Sequence, residues 1–286
     1  MTVTVGSPID PFRICEAGRY ADEVVVVDPI TDPPPGAVRT GHFAVYSIGT
    51  RLHVWHGLRP DRIDNDVAGL LATELFAPGW LTGEDCFERV LTGIVLTSAA
   101  DPEAAWELFY RNTLARLARP TDGTTATFAP IYAHARSLLA GDSVLELGCC
   151  FGFLSLQLPG RVTASDVIAN TVGLLARMTV RLDRRIDTLV CDAARVPRPD
   201  RSADTVLAVH LLEHLEPGHG EAVVAEMLRL ARRRAVIAVP FEDEPTAAYG
   251  HVRVFTPDDL RALGAVPGWR ARSYAFNGGW LILDRV

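Results

Sequence analysis

The stretch VLELGCCFGFLSL, Val144 to Leu156, decides how the rest of the chain is read. It opens as an apolar strand carrying Glu146 and then turns at Gly148 and Gly152, as loops do where a cofactor approaches the edge of a sheet. A dinucleotide site asks for G-x-G-x-x-G, with backbone amides free to meet a pyrophosphate. This loop reads GCCFG, with Cys149 and Cys150 between its glycines, and does not fit that pattern.

Outward from this loop, short apolar runs alternate with helical stretches. SVLELG, RVTASD, DTLVCD, ADTVLAVH and RAVIAVP are all bounded by Gly, Pro or Asp. Such alternation predicts βαβ units and a parallel sheet. Two later runs, WRARSYAF and GWLILDRV, are joined by Asn277-Gly278-Gly279, a strong hairpin signal. The expected fold is α/β, a Rossmann-like sheet of five parallel strands closed by an antiparallel C-terminal hairpin, over residues 126–286.

Residues 1–125 have a different texture and are expected to form an N-terminal α+β extension that recognises substrate or acts as a lid. EVVVVDPITDPPPG runs from an apolar strand into a proline-rich loop, and GHFAVYSIGTRLHVWHGL alternates around Gly49 as a hairpin would. The same alternation puts His53 and Trp55 on one strand face. Asp66 opens a run with helical spacing. Thr82-Gly-Glu-Asp has the spacing of a capping box, and Asp101-Pro102 suits the start of a third helix.

Composition narrows the function. The chain has 286 residues, 48% of them hydrophobic, enough for a substantial core. All 28 basic residues are arginine and the net charge is −7, so a nucleic-acid partner is not expected. The densest basic cluster, Arg229 with Arg232 to Arg234, is read as closing a helix, where cations complement the dipole. The five cysteines show neither metal-ligand nor disulfide spacing, and Cys149 and Cys150 are expected to be buried thiols. MTVTVGSPIDPF lacks the basic start and apolar core of a signal peptide, and no apolar run reaches the ~18 residues of a membrane span. The reducing cytoplasm is the default location.

In an open parallel sheet, ligands lie beyond the carboxyl ends of the strands. Those ends offer Glu146 with the loop, then Asp166, then Cys191-Asp192-Ala193, then His210 leading into Leu211-Leu-Glu213-His214, then Pro240-Phe-Glu242. An acid about twenty residues beyond a glycine loop can hold both ribose hydroxyls, and an acid after the third strand can accept from an adenine amino group.

These residues carry a resemblance. VLELGCCFG, the acid in VTASDV, CDA, ADTVLAVHLLEHL and GHVRVFTPDDL resemble a class I S-adenosylmethionine-dependent methyltransferase across residues 126–286. The usual loop is E-x-G-x-G-x-G, and Cys150 replaces its middle glycine. The resemblance implies S-adenosylmethionine as cofactor. Glu146 would orient the methionine amine or a loop amide, Gly148, Cys150 and Gly152 would shape the loop, Asp166 would hold the ribose, and Asp192 with Ala193 would meet the adenine. The CCFGFLSL loop and the N-terminal extension are also similar to the mycofactocin-associated oligosaccharide methyltransferases, which implies O-methylation of a sugar hydroxyl on a glycosylated redox cofactor.

A hydroxyl acceptor benefits from a general base, and histidine titrates in the right range. His210, His214 and His251 are the candidates. His210, Glu213 and His214 could also share a helix face and bind a divalent ion, with Glu242 as a further donor; the reading favours a site without metal. Tyr132 and His134 could cover the site or simply pack, Asp204 is read as structural, and Trp55 as a core or edge aromatic. Two other classes fit less well. A nicotinamide-dependent oxidoreductase conflicts with GCCFG, and a non-catalytic binding module conflicts with the intact Asp166, Asp192 and HLLEHL. The expected partner is a small-molecule or glycan acceptor.

Overall fold

The computed structural model describes residues 8–29 and 32–286. The leader reading of the first residues and part of the proline-rich loop (Ile30, Thr31) lie outside them. The chain divides into two compact units, Met1–Thr127 and Phe128–Val286.

The first unit holds a five-stranded sheet of β1 (Tyr20–Ala21), β2 (Val25–Asp28), β3 (Val38–Arg39), β4 (Phe43–Ile48) and β5 (Arg51–His56), in the order β1-β2-β5-β4-β3. β4 and β5 form the expected antiparallel hairpin around Gly49, with Tyr46 opposite His53. β2 pairs parallel to β5. Helices α1 (Asp66–Leu71), α2 (Gly83–Leu96) and α3 (Pro102–Ala118) follow, and α1 runs on into a π-helical turn, Ala72–Phe76. Asp101 caps α3, its side chain accepting from the Ala104 amide. Thr82 precedes α2 but its side chain makes no capping bond. The spacing of a capping box was present there without its geometry. Arg89 is fully buried on α2, donating to Asp22 and to Asp85. Trp55 is buried and stacks on His53 with centroids 5.8 Å apart, so it serves this unit's core.

The division between the units falls within α4 (Thr124–Ser137). The second unit then continues through β6 (Ser143–Leu147), β7 (Arg161–Asp166), α5 (Ala169–Arg181), β8 (Ile186–Val190), β9 (Ala203–Val209), α6 (Pro217–Leu230), β10 (Ala231–Val239), α7 (Pro257–Leu263), β11 (Trp269–Ala275) and β12 (Gly279–Arg285). Its seven strands lie in the order β11-β12-β10-β9-β6-β7-β8. Strands β6 to β10 pair in parallel, while β12 runs antiparallel to both β10 and β11. The hairpin thus folds back so that the last strand, rather than the one before it, meets the parallel sheet.

Both faces of this sheet are covered, which is why its central strands read as unbroken apolar runs. Alternation still sorts them. Leu145, Val206, Ala208, Ile237 and Leu281 face one cluster with Val223 and Met227 of α6 and Leu260 of α7. Val144, Leu207, Val209, Val236 and Trp280 face the other with Ile131 and Ala135 of α4. Each large apolar side chain so buried contributes about 1.5–3 kcal/mol.

The arginine cluster differs from its expected place. α6 ends at Leu230, and Arg232 to Arg234 already belong to β10. Arg232 donates to Asp204 and Arg234 to Asp284, while Arg229 joins Glu226 and Asp200. Strand pairing with β9 and β12 outweighs helix continuation there. Asp204 also accepts from the Ser143 hydroxyl and the Asp142 and Ser143 amides, a structural knot that holds its carboxyl well below the usual carboxylate range.

Candidate active site

The loop after β6 is built on left-handed backbone. Gly148, Cys150 and Gly152 have φ of 69°, 46° and 73°. A Cβ at Gly148 would come within 2.6 Å of Leu211, and one at Gly152 within 2.5 Å of Leu175. These glycines therefore answer to conformation and close packing together. Cys150 adopts the same conformation without being glycine, at a cost of about 1–2 kcal/mol. It is exposed, which corrects the expectation of a buried thiol; Cys149 is buried as expected. A thiol in the left-handed conformation points outward from the turn, whereas Cys149 tucks beneath it.

Two contacts pin the loop to the end of β7, and a third fixes the carboxylate that makes one of them. The Cys149 amide donates to the Ser165 carbonyl at 2.9 Å, the Cys150 amide to Asp166 Oδ2 at 2.9 Å, and the Ile168 amide to Asp166 Oδ1 at 3.1 Å. Asp166 therefore fastens two successive strand ends. Glu146 lies beneath, fully buried, and accepts from the Ser155 hydroxyl. Burial, with the Asp166 charge nearby, pushes its carboxyl up to about 7. The chain between β6 and β7 contains a single 3-10 turn, Ser155–Gln157, in place of the α-helix whose N-terminus would bind a pyrophosphate.

Asp192 is exposed beyond β8. Its Oδ1 accepts from the Ala194 amide at 2.8 Å and lies 2.8 Å from His219 Nε2. Those two bonds hold its carboxyl below the ordinary value. Ala193 is half-buried and packs on the α6 side of the sheet. His219 carried no sequence signal, because it meets Asp192 only through the approach of α6 to the strand end.

Beyond β9 the chain turns sharply. His210 has φ 56°, and its amide donates to the Ala238 carbonyl. Burial lowers its imidazole to about 4, with His251 and His214 acting in the same direction. Phe128 packs edge-on against it, centroids 5.6 Å apart. The next turn, Leu212–His214, buries Glu213 completely, and the Glu213 carbonyl accepts from the Val252 and Arg253 amides. This brings His251 to His214, ring centroids 4.9 Å apart, with His251 Nδ1 2.7 Å from Glu242 Oε2. Burial lowers the His214 imidazole, and the Asp166 charge acts on it in the opposite sense. His210, His214 and His251 thus converge at the same strand ends as the pinned loop. Glu213 and Glu242 complete the group; only the meeting of the β9 turn with the segment after β10 reveals how closely they stand.

Tyr132 is largely buried in α4, where burial and the charges of Glu146 and Cys150 push its phenol upward. His134 packs among Tyr274, Phe276 and Trp280 and bonds the Tyr274 hydroxyl at 2.7 Å, an aromatic packing role.

This fold and edge define a Rossmann-like α/β unit with its loop, two acids and imidazoles gathered at the carboxyl ends of the strands. Residues 145–239 match the family model described as a methyltransferase domain. The match falls on the parallel part of the Rossmann-like sheet, so residues 145–239 are similar to a methyltransferase domain in sequence as well as in strand order. No match is found among curated proteins. Among solved structures, the PH0226 protein of Pyrococcus horikoshii OT3 is similar at 14% identity and TM-score 0.49, covering 58% of this chain and 93% of that one. Magnesium protoporphyrin IX methyltransferase from Synechocystis PCC 6803, with bound SAH, is similar at 17% identity and TM-score 0.45, covering 62% and 94%. A SAM-dependent methyltransferase from Aquifex aeolicus gives 16% identity and TM-score 0.46, covering 60% and 97%. No helix among the described residues is long and apolar enough to cross a membrane.

Proposed function

We propose that the protein transfers a methyl group from S-adenosylmethionine to a hydroxyl of a small molecule or sugar, and that its acceptor is the oligosaccharide of a mycofactocin-type redox cofactor. The observation that carries the transfer reading is the pairing, at one sheet edge, of the loop pinned on Asp166 with the His210, His214 and His251 cluster. When bound, S-adenosylmethionine supplies a sulfonium methyl that is already activated. A 3-10 turn in place of a phosphate-binding helix suits that phosphate-free cofactor and speaks against a dinucleotide.

The chain's own residues divide the work. Glu146, braced by Ser155, supports the loop from below. Asp166 keeps lone pairs on both oxygens for ribose hydroxyls while bonding the Cys150 and Ile168 amides. Asp192 and Ala193 flank the adenine side. Burial lowers the His210 imidazole to about 4, so at neutral pH it is uncharged but a weak base, and it takes the acceptor's proton only as methyl transfer makes that proton acidic. Alignment of the hydroxyl with the methyl contributes the larger share of the rate. The N-terminal unit selects the acceptor, and the CCFGFLSL loop together with that unit supports the oligosaccharide assignment.

Calorimetric titration with S-adenosylhomocysteine and, separately, NADH tests the cofactor. Micromolar binding of the former alone is expected; binding of NADH alone would overturn the reading. Incubation with S-adenosylmethionine and glucose oligomers should give a mass gain of one methylene on the oligosaccharide. Methylation confined to non-sugar hydroxyls would remove the glycan assignment and leave the transfer reading in place.

A further inference from the structure

Glu213 has more to it than a turn-forming role. Its side chain is fully buried, and among the described residues neither carboxylate oxygen meets a hydrogen-bond donor. His210 Nδ1 comes within 3.3 Å of Oε1 without hydrogen-bond geometry. A buried carboxylate left this way is costly unless a cation or proton compensates it. His210 and the Glu242 charge stand near it as well, but the tightest set is that of Glu213, His214 and His251, one ligand atom from each lying within 4.8 Å of the others.

His251 is held from outside. Glu242 accepts from His251 Nδ1 through Oε2 at 2.7 Å, and its Oε1 accepts from the Thr246 hydroxyl at 2.5 Å. The Gly250 backbone near His214 acts on its imidazole in the sense opposite to burial. A ring whose one nitrogen donates outward keeps a lone pair on the other, and outer carboxylate acceptors of this kind orient metal-bound histidines. Two imidazole nitrogens beside a buried carboxylate offer one cation three ligand atoms at once.

We infer that Glu213, His214 and His251 bind one divalent first-row transition-metal ion, of the zinc, cobalt or manganese kind. Two imidazoles in three ligands disfavour magnesium and calcium, which take oxygen donors. Three protein ligands leave coordination positions open, as in catalytic rather than structural sites. The use made of such an ion rests on the hydroxyl-acceptor reading above. An acceptor oxygen on the open position would lose its proton to His210, bond the methyl carbon as the carbon–sulfur bond breaks, and leave as the methyl ether beside S-adenosylhomocysteine.

The test is titration of the chelator-treated full chain with cobalt(II) alone, followed by visible d–d absorption and calorimetry, with S-adenosylhomocysteine titrated in parallel. One equivalent is expected, with d–d bands and a raised thermal midpoint of the native chain. His251→Ala and Glu213→Gln should weaken binding at least about tenfold, and His53→Ala in the N-terminal unit should not. If either site variant fails to fold, His214→Gln and the native chain's cobalt-dependent thermal shift carry the test. Absence of saturable d–d bands in the native chain, or unchanged affinity in the folded site variants, would overturn the inference. S-adenosylhomocysteine binding without cobalt binding would remove the metal and keep the methyltransferase reading; the opposite pattern would keep the metal site and remove the cofactor.

Discussion

Replacing Glu146 by Gln should change how the protein's stability depends on pH. The Glu146 carboxyl is buried beneath the loop, accepts from the Ser155 hydroxyl and amide, and is pushed from an ordinary 4.5 to about 7 by burial, with Asp166 adding to the effect. A carboxyl raised on folding leaves stability intact below about 4.5 and withdraws it as pH climbs through about 7, because the unfolded chain releases the proton first. At about 1.4 kcal/mol for each pH unit the midpoint moves, ionisation of Glu146 costs the folded state about 3 kcal/mol by pH 9. Gln keeps an acceptor for Ser155 and cannot ionise. Any fixed loss from the amide's fit applies at every pH, so the informative quantity is the change in the difference between the two proteins. Urea unfolding at pH 5, 7 and 9 should show the variant gaining about 3 kcal/mol on the native chain from the lowest pH to the highest. Parallel stability curves across that range would refute a buried, raised Glu146.

Gly152→Ala places a methyl 2.5 Å from Leu175 on a backbone with φ 73°, and should cost about 2–4 kcal/mol in thermal unfolding. In the N-terminal unit, Arg89→Leu leaves Asp22 buried without its 2.8 Å partner and should cost about 3–5 kcal/mol, measured by denaturant midpoint; a loss below about 1 kcal/mol would show the pair to be dispensable. On the proposed cofactor site, Asp166→Asn should weaken S-adenosylhomocysteine binding at least about tenfold by calorimetry, since a neutral amide would give up the charge on the ribose bonds assigned to Asp166. His219→Ala should weaken it far less, because His219 only steadies exposed Asp192.

Period and punctuation made much of the second unit legible. The β6 to β10 runs alternate between two apolar clusters and stop at Gly, Pro or Asp, and Asn277-Gly278 turns the last hairpin with φ of 45° and 118°. Local signals misled where a neighbouring element decided the outcome. Thr82 has capping-box spacing without the bond, whereas Thr256 before α7 makes both halves of its box with Asp259. Arg232 to Arg234 look like a helix end and lie in a strand, because Asp204 and Asp284 on adjoining strands receive them.

The sequence by itself determined which residues stand at the strand ends: Glu146, Asp166, Asp192 and His210 follow from where each apolar run stops, since a strand's alternation and length are local properties. Tertiary structure alone decided what those ends touch. Cys150 is exposed on a left-handed φ, with its amide bonded to Asp166. Glu213 reaches His251 and lies near Glu242 because the segment after β10 hangs its Val252 and Arg253 amides on the Glu213 carbonyl. Those partners lie some 30 to 40 residues apart along the chain, and no local period encodes a contact made by bringing two loops to one edge of a sheet.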